Sequence, residues 1–273
     1  MKRKPTGLAP IFRPRKAVQV INNEEIKVTA QDTVVAVFYD LETTGFKPDE
    51  DHITQIGACC MIPGQQPRIF NTYVTTDREI PEKVTQLTGI TSDLLLEQGQ
   101  PLETALESFF VFIETCIQEA KARFAALVSY NGQRFDDLFL RVACQYGGLT
   151  LERRAHRVGL LNLVDALPWC KRMLPSHRLL RNEYNRVSYR LGDVYSCLFP
   201  GETFEAHRAD ADTLALARIC DHNAFNVKEE SYYCRRVHQE SFKVPTLPEP
   251  KTVEELPQHR SLFDFMMRAT RSS

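Results

Sequence analysis

Val34-Val35-Ala36-Val37-Phe38-Tyr39-Asp40-Leu41-Glu42-Thr43-Thr44-Gly45 is the stretch on which the reading of this chain turns. Val34–Asp40 is a β-branched and aromatic run with no charge before its last residue, the pattern of a largely buried strand. It ends in two carboxylates, Asp40 and Glu42, at positions i and i+2, which on a strand project from one face. In α/β proteins the C-terminal end of such a strand opens into the crevice where ligands usually bind. Taken alone, Asp-x-Glu reads equally well as an ordinary solvated strand end.

Working outward, Ile53–Met61 and Arg68–Thr75 read as two further strands around the turn signal Pro63-Gly64. Leu102–Ala122 carries Leu106, Phe109, Phe110, Ile113 and Ile117 at helical spacing. Ala125–Tyr130 reads as a short strand and Asp136–Tyr146 as a helix closing at Gly147-Gly148. Leu160–Asp165 reads as a fifth strand, with helical patterns near 188–199 and 207–222. Three strands followed by alternating helices and strands predict an α/β sandwich with a mixed sheet.

The chain has 273 residues, 43% of them apolar and 25% charged, which is ordinary globular usage. With 34 Lys and Arg against 35 Asp and Glu it is no polycation, although a local basic patch is compatible with a neutral total. No window approaches the ~18 apolar residues of a membrane span. The basic N-terminus lacks the apolar core of a secretory signal. Eight scattered cysteines without a C-x-x-C pair argue against a zinc site or a disulfide framework and suit a reduced intracellular protein. Residues 1–30 read as a basic tail and 31–235 as the globular domain. Residues 236–273 read as a Pro-rich linker ending in a short amphipathic segment.

Two more clusters carry chemistry. Ser129-Tyr130-Asn131-Gly132-Gln133-Arg134-Phe135-Asp136-Asp137 follows a strand and opens a helix, where an acid is also favoured simply as a partner of the exposed N–H groups. His207-Arg208-Ala209-Asp210-Ala211-Asp212 opens a second helix. His207 and Asp212 are too far apart in sequence to share a helical face, so a joint role requires His207 on the loop that enters the helix. Together the clusters offer four carboxylates and a histidine. That set suits Mg²⁺ or Mn²⁺, which prefer oxygen ligands, and a base titrating near neutral pH. Two such ions about 4 Å apart activate a water and stabilise the leaving oxygen of a phosphodiester.

FYDLETTG, YNGQRFD and HRADAD, in that order, resemble the three motifs of the DEDDh exonucleases. Asp40 and Glu42 match the first, Asp136 the second, and His207 with Asp212 the third. Asp137 and Asp210 are neighbouring acids. Asp136 fits the motif's Phe-Asp step, and Asp212 keeps the His-to-Asp spacing. YNGQRFD, Gln86-Leu87-Thr88-Gly89-Ile90 and Arg190-Leu191-Gly192-Asp193-Val194-Tyr195 look most like the three-prime repair exonucleases. The resemblance implies an RNase H-like fold with a central five-stranded mixed sheet flanked by helices. It also implies 3′→5′ removal of nucleoside 5′-monophosphates from DNA, with single-stranded or frayed ends preferred and two Mg²⁺ ions that Mn²⁺ can replace. His207 would be the base, and Asp40, Glu42, Asp136 and Asp212 the metal ligands. Leu41, Thr43, Phe46, Leu87 and Arg134 would meet the substrate. For Leu87 and Phe46, core packing explains the residue type as well.

An exoribonuclease of the same superfamily, or a DEDDh-fold binding module without catalysis, fits the same fold. Retention of all five catalytic positions favours an active enzyme. The basic segment 152–190 could track a phosphate backbone or form a solvated face. Family precedent suggests a homodimer through the third strand, near Arg68–Thr75. Residues 259–266 (HRSLFDFM) are similar to a degenerate sliding-clamp peptide, and also read as a helix packing on its own domain. Lys2-Arg3-Lys4-Pro5 suggests a nuclear address, with a cytoplasmic protein as the alternative, and DNA repair is the role the resemblance implies.

Overall fold

The computed structural model describes residues 17–21, 24–28, 33–62, 64–174, 185–222 and 234–236. The chain divides into a unit Met1–Gln239 and a second unit Glu240–Ser273. The second unit, with the clamp-like segment 259–266, lies outside the described residues, as do most of the N-terminal and C-terminal tails. Within the segment read as an N-terminal tail, β1 (Ala17–Ile21) and β2 (Glu24–Val28) pair as an antiparallel ladder.

The main sheet contains β3 (Val34–Thr43), β4 (Ile53–Cys60), β5 (Arg68–Val74), β6 (Gly99–Gln100), β7 (Phe124–Ser129), β8 (Leu160–Asp165) and β9 (Cys234–Arg236). Their spatial order is β6-β5-β4-β3-β7-β8-β9. β3 pairs antiparallel with β4 and parallel with β7, so the sheet is mixed as expected. The five long strands are the five expected, and the two- and three-residue strands β6 and β9 extend the edges to seven. Between β5 and β6 lie two helices that periodicity did not single out, α1 (Glu82–Thr88) and α2 (Ser92–Gln98), each seven residues long. α1 has no buried residue, and hence no apolar stripe to betray it.

α3 (Leu102–Glu119) covers one face of the sheet. Its Phe109 lies 6.2 Å from Tyr39 and 5.8 Å from Phe70, ring to ring. α4 (Asp136–Tyr146) follows β7, with Gly148 rather than Gly147 in the left-handed region after it. α5 (Leu151–Val158), α6 (Ala166–Met173) and α7 (Leu191–Leu198) lead to α8 (Ala209–Asp221) on the opposite face. There Leu216, Ala217 and Cys220 pack on Ala36, Phe38 and Cys59. The even-numbered side chains of β3 therefore face α8 and the odd-numbered ones face α3, as strand alternation requires. Among the described residues no helix is long and apolar enough to cross a membrane.

Candidate active site

Every β3 residue is buried except Asp40 and Glu42, which are partly exposed. Pairing with β7 stops at Phe38, while pairing with β4 runs on to Thr43. Past Phe38 one edge of β3 is thus open, and its even face carries the two carboxylates. On α8, Asp212, Leu216 and Cys220 lie at spacing i, i+4, i+8, a single stripe. Leu216 and Cys220 belong to the core with Phe38. One turn earlier, the same stripe brings Asp212 to the acids of β3. Ligating oxygens of Asp40, Glu42 and Asp212 all lie within 4.8 Å of one another.

Three acids this close repel one another, and burial compounds the effect. Burial first, then the charges of Asp212 and Asp136, pushes Glu42 up to about 8. Asp40 is raised well above the usual carboxylate range by burial and by Asp136, Asp212 and Glu42. Asp212 is raised to about 6, chiefly by burial, against the lowering effect of the His207 and Arg208 N–H groups. Among the described residues, neither the Asp40 nor the Glu42 carboxylate accepts a hydrogen bond or forms an ion pair. An all-oxygen set with its charges uncompensated fits a hard divalent cation.

Asp136 reaches the site from the first turn of α4. The Leu41 N–H, left over on the open edge of β3, donates to Asp136 Oδ1 at 3.0 Å. Burial first, then the neighbouring Asp137 charge, raises Asp136 to about 8. Asp137 points elsewhere and accepts the buried Tyr39 hydroxyl, on the odd face of β3. The two neighbouring acids thus face different partners, Asp136 the Leu41 N–H and Asp137 the Tyr39 hydroxyl. Asp210 is likewise occupied: the Arg208 guanidinium donates to both its oxygens, at 3.2 and 2.8 Å.

His207 is exposed in the turn before α8. Its φ of +66° lies in the left-handed region, uncommon for a residue with a Cβ. Its N–H donates to Asp212 Oδ2 at 2.8 Å, which ties the turn to the acid cluster. It sits on the loop entering the helix, as its spacing from Asp212 requires.

Two β4 residues that motif reading passed over set the start of α8. Gly57 lies opposite Asp40 in the ladder. A Cβ there would come within 2.3 Å of the Ala209 carbonyl carbon, so only glycine lets the helix start rest on the sheet. Gln55, opposite Glu42, accepts the Ala209 N–H at 3.3 Å and donates to Asn71 at 2.8 Å. No side chain of the flanking residue Arg208 caps this helix, so β4 supplies the acceptor. The pattern that could have found them is a glycine and a glutamine inside an otherwise apolar strand.

The expected substrate residues divide. The Leu41 and Thr43 side chains are buried, and the Thr43 hydroxyl donates to the Gly45 carbonyl. Phe46 and Leu87 are 82% and 54% exposed, which removes core packing as their explanation. Phe46 lies 6.1 Å from the ring of Phe135, beside Asp136. Arg134 is exposed on the short helical turn Gly132–Arg134.

The basic segment 152–190 is partly structural. Arg154 is 2% exposed, donating to Glu107 and the Gly147 carbonyl, and Arg157 pairs with Glu107. Lys171 lies over the Tyr189 ring at 5.9 Å. Arg178 and Arg181 lie outside the described residues.

Fold and acids together define an RNase H-like α/β protein with a carboxylate cluster at the end of its central strand. Residues 37–220 match the Exonuclease family (RNase_T), to which the chain belongs. It is 29% identical over 221 residues to a DNA polymerase III PolC-type of Thermotoga maritima, a match covering 79% of this chain and 14% of that protein. It is also 29% identical over 185 residues to the DNA polymerase III subunit epsilon of Treponema pallidum, covering 67% and 71% of the two chains. The chain spans only about one seventh of the PolC-type relatives. Among solved structures, E. coli Exonuclease I in complex with a dT13 oligonucleotide aligns with a TM-score of 0.55 and 21% identity. That alignment covers 69% of this chain and 40% of the other.

Proposed function

We propose that the protein is a metal-dependent 3′→5′ exonuclease that shortens DNA from single-stranded or frayed 3′ ends and releases nucleoside 5′-monophosphates. The observation that carries this reading is the convergence of Asp40, Glu42 and Asp212 within 4.8 Å, with Asp136 held against the same strand. These four carboxylates would hold Mg²⁺ or Mn²⁺. When bound, such ions lower the pKa of water and stabilise charge on a leaving oxygen. His207, exposed beside Asp212, accepts the proton of the attacking water through its imidazole. Phe46 and Leu87 offer exposed apolar surface to the terminal bases, and Arg134 offers charge to the backbone.

The names of the relatives support a DNA substrate. They include a 3′-5′ exonuclease DinG of Bacillus subtilis, 38% identical over 79 residues, 29% of this chain and 8% of that one. YNGQRFD and the Gln86–Ile90 stretch support the narrower likeness to three-prime repair exonucleases, with repair as the role. To the same reading belong residues 31–235 as the catalytic domain between two tails, an edge-to-edge homodimer through β5, clamp binding by 259–266, and a nuclear or cytoplasmic location.

The test is a gel series with 5′-labelled single-stranded DNA, duplex DNA and RNA. A ladder shortening from the 3′ end of single-stranded DNA in Mg²⁺, abolished by EDTA, is the expected result. Faster digestion of RNA would make it an exoribonuclease. No digestion of any substrate in Mg²⁺ or Mn²⁺ would make it a binding module.

A further inference from the structure

We propose that Asp165 is the positioning residue for Asp136, a role that rests on the reading of Asp136 as a metal-holding acid. Asp165 is the last residue of β8, buried, and pairs with Ser129 at the end of the β7–β8 ladder. Beyond that pair β7 gives way to the loop that leads to Asp136, with backbone N–H groups outside the β7–β8 ladder. Asp165 takes two of them. Its Oδ1 accepts the Asn131 N–H at 2.9 Å, and its Oδ2 accepts the Gln133 N–H at 3.4 Å. The same Oδ1 accepts the Leu167 N–H at 3.0 Å, capping α6. A helix cap accounts for the Leu167 bond and leaves the other two unexplained.

The loop needs an anchor. Asn131 takes φ +64°, a left-handed conformation. Gly132 packs so tightly that a Cβ would sit 2.0 Å from Ser129 Oγ and 3.2 Å from Asp136 Oδ2. The Phe135 N–H then bonds the Gly132 carbonyl at 2.9 Å, and Asp136 follows. Every link from Asp165 to Asp136 is thus a short covalent step or a hydrogen bond. The far end of the chain of contacts is the Leu41 N–H on Asp136 Oδ1, which makes the Leu41 amide a reporter of where Asp136 stands.

The experiment compares the full chain with Asp165→Ala and Asp165→Asn by amide hydrogen exchange and steady-state kinetics on a 5′-labelled oligodeoxynucleotide. In Asp165→Ala the Leu41 amide should exchange roughly tenfold faster, the worth of one lost hydrogen bond, while amides of the β3–β7 ladder keep their rates. kcat should fall by about 10–100-fold, the usual cost of losing an orienting partner, with KM within about threefold of wild type. Asp165→Asn keeps an oxygen for Asn131 and Leu167 but turns an NH₂ toward the Gln133 N–H, so its kcat should fall between the two. In Asp136→Ala the Leu41 amide exchanges fast already, and adding Asp165→Ala should change it by less than about twofold.

An unaltered Leu41 amide in folded Asp165→Ala overturns the proposal. So does equal acceleration by Asp165→Ala with and without Asp136. If Asp165→Ala does not fold, Asp165→Asn carries the same comparison at the Gln133 and Leu41 amides. Should the wild type digest no nucleic acid, the functional reading fails, and the Leu41 amide alone decides whether Asp165 positions Asp136.

Discussion

Asp136 and Asp212 each stand in the first turn of a helix and reach the same strand, yet the two turns are held in different ways. The Asp136 turn is tied by hydrogen bonds to two strands as well as within itself: Gly132 and Phe135 bond each other, Asp165 of β8 takes the Asn131 and Gln133 N–H groups, and the acid accepts from Leu41 of β3. The Asp212 turn rests on a different strand, β4. Its helix rests on Gly57, its first N–H goes to Gln55 on β4, and Asp212 accepts the N–H of the exposed His207. The first arrangement fixes an acid. The second fixes an acid while leaving His207 in solvent, as its proposed role as the base requires.

Removing each acid has the largest expected effect. Asp136→Ala and Asp212→Ala should each lower kcat by about three orders of magnitude, several kcal/mol of transition-state stabilisation, measured as release of mononucleotide in Mg²⁺. If either variant keeps more than about a tenth of wild-type turnover, that turn holds no ligand and the two are not equivalent. Next in size is His207→Ala, where kcat should drop by roughly 100-fold while affinity for a single-stranded oligonucleotide stays within about twofold. A loss confined to affinity would make His207 a binding residue and remove the reason for its exposure.

Sequence legibility followed the same divide. That Asp40 and Glu42 share a face was readable because i, i+2 residues on a strand have one geometry, and all five long strands were readable from their apolar runs. The register of Asp136 against Asp137 and of Asp212 against Asp210 rested on motif resemblance. It becomes physical only when Tyr39 and Arg208 are seen to occupy the other two acids. Asp165 was illegible, and Gln55 and Gly57 stood out only as unusual residues within a strand, because their partners lie more than thirty residues away in the first case and about 150 in the others. No local pattern records such a contact. Of the basic residues in 152–190, a composition count could not tell that Arg154 is buried on Glu107.

Gly57 and Gly132 distinguish the two turns by smaller effects. Gly57→Ala sets a methyl against the backbone of Ala209, which cannot yield as a flexible side chain would. Overpacking of this kind costs about 1–3 kcal/mol, and kcat should fall by about tenfold as Asp212 moves off the cluster. Gly132→Ala presses on the Ser129 side chain instead and should disturb the Leu41 amide, which Gly57→Ala leaves alone. Hydrogen exchange on both variants tests whether the two arms are independent. A Gly57→Ala protein whose Leu41 amide exchanges faster would show them coupled.

The smallest effect concerns what the acids have in common. Glu42 and Asp136 are raised to about 8 and Asp212 to about 6 in the fold, against about 4 when unfolded. Between those values the folded state holds protons that the unfolded state has released, so stability falls as pH rises from about 4 to 8. A divalent cation favours the ionised forms and should reverse that slope. Glu42→Gln removes one of these protonations, so in EDTA at pH 8 it should melt higher than wild type, by roughly 2–4 °C for each kcal/mol relieved. Its melting point should also rise less when Mn²⁺ is added. Thermal melts from pH 5 to 8, with EDTA or Mn²⁺, read both quantities. If Glu42→Gln in EDTA at pH 8 is no more stable than wild type and has the same pH slope, Glu42 pays no electrostatic cost in the fold. The acids would then owe their convergence to packing along the Asp212–Leu216–Cys220 stripe rather than to the demand for a cation.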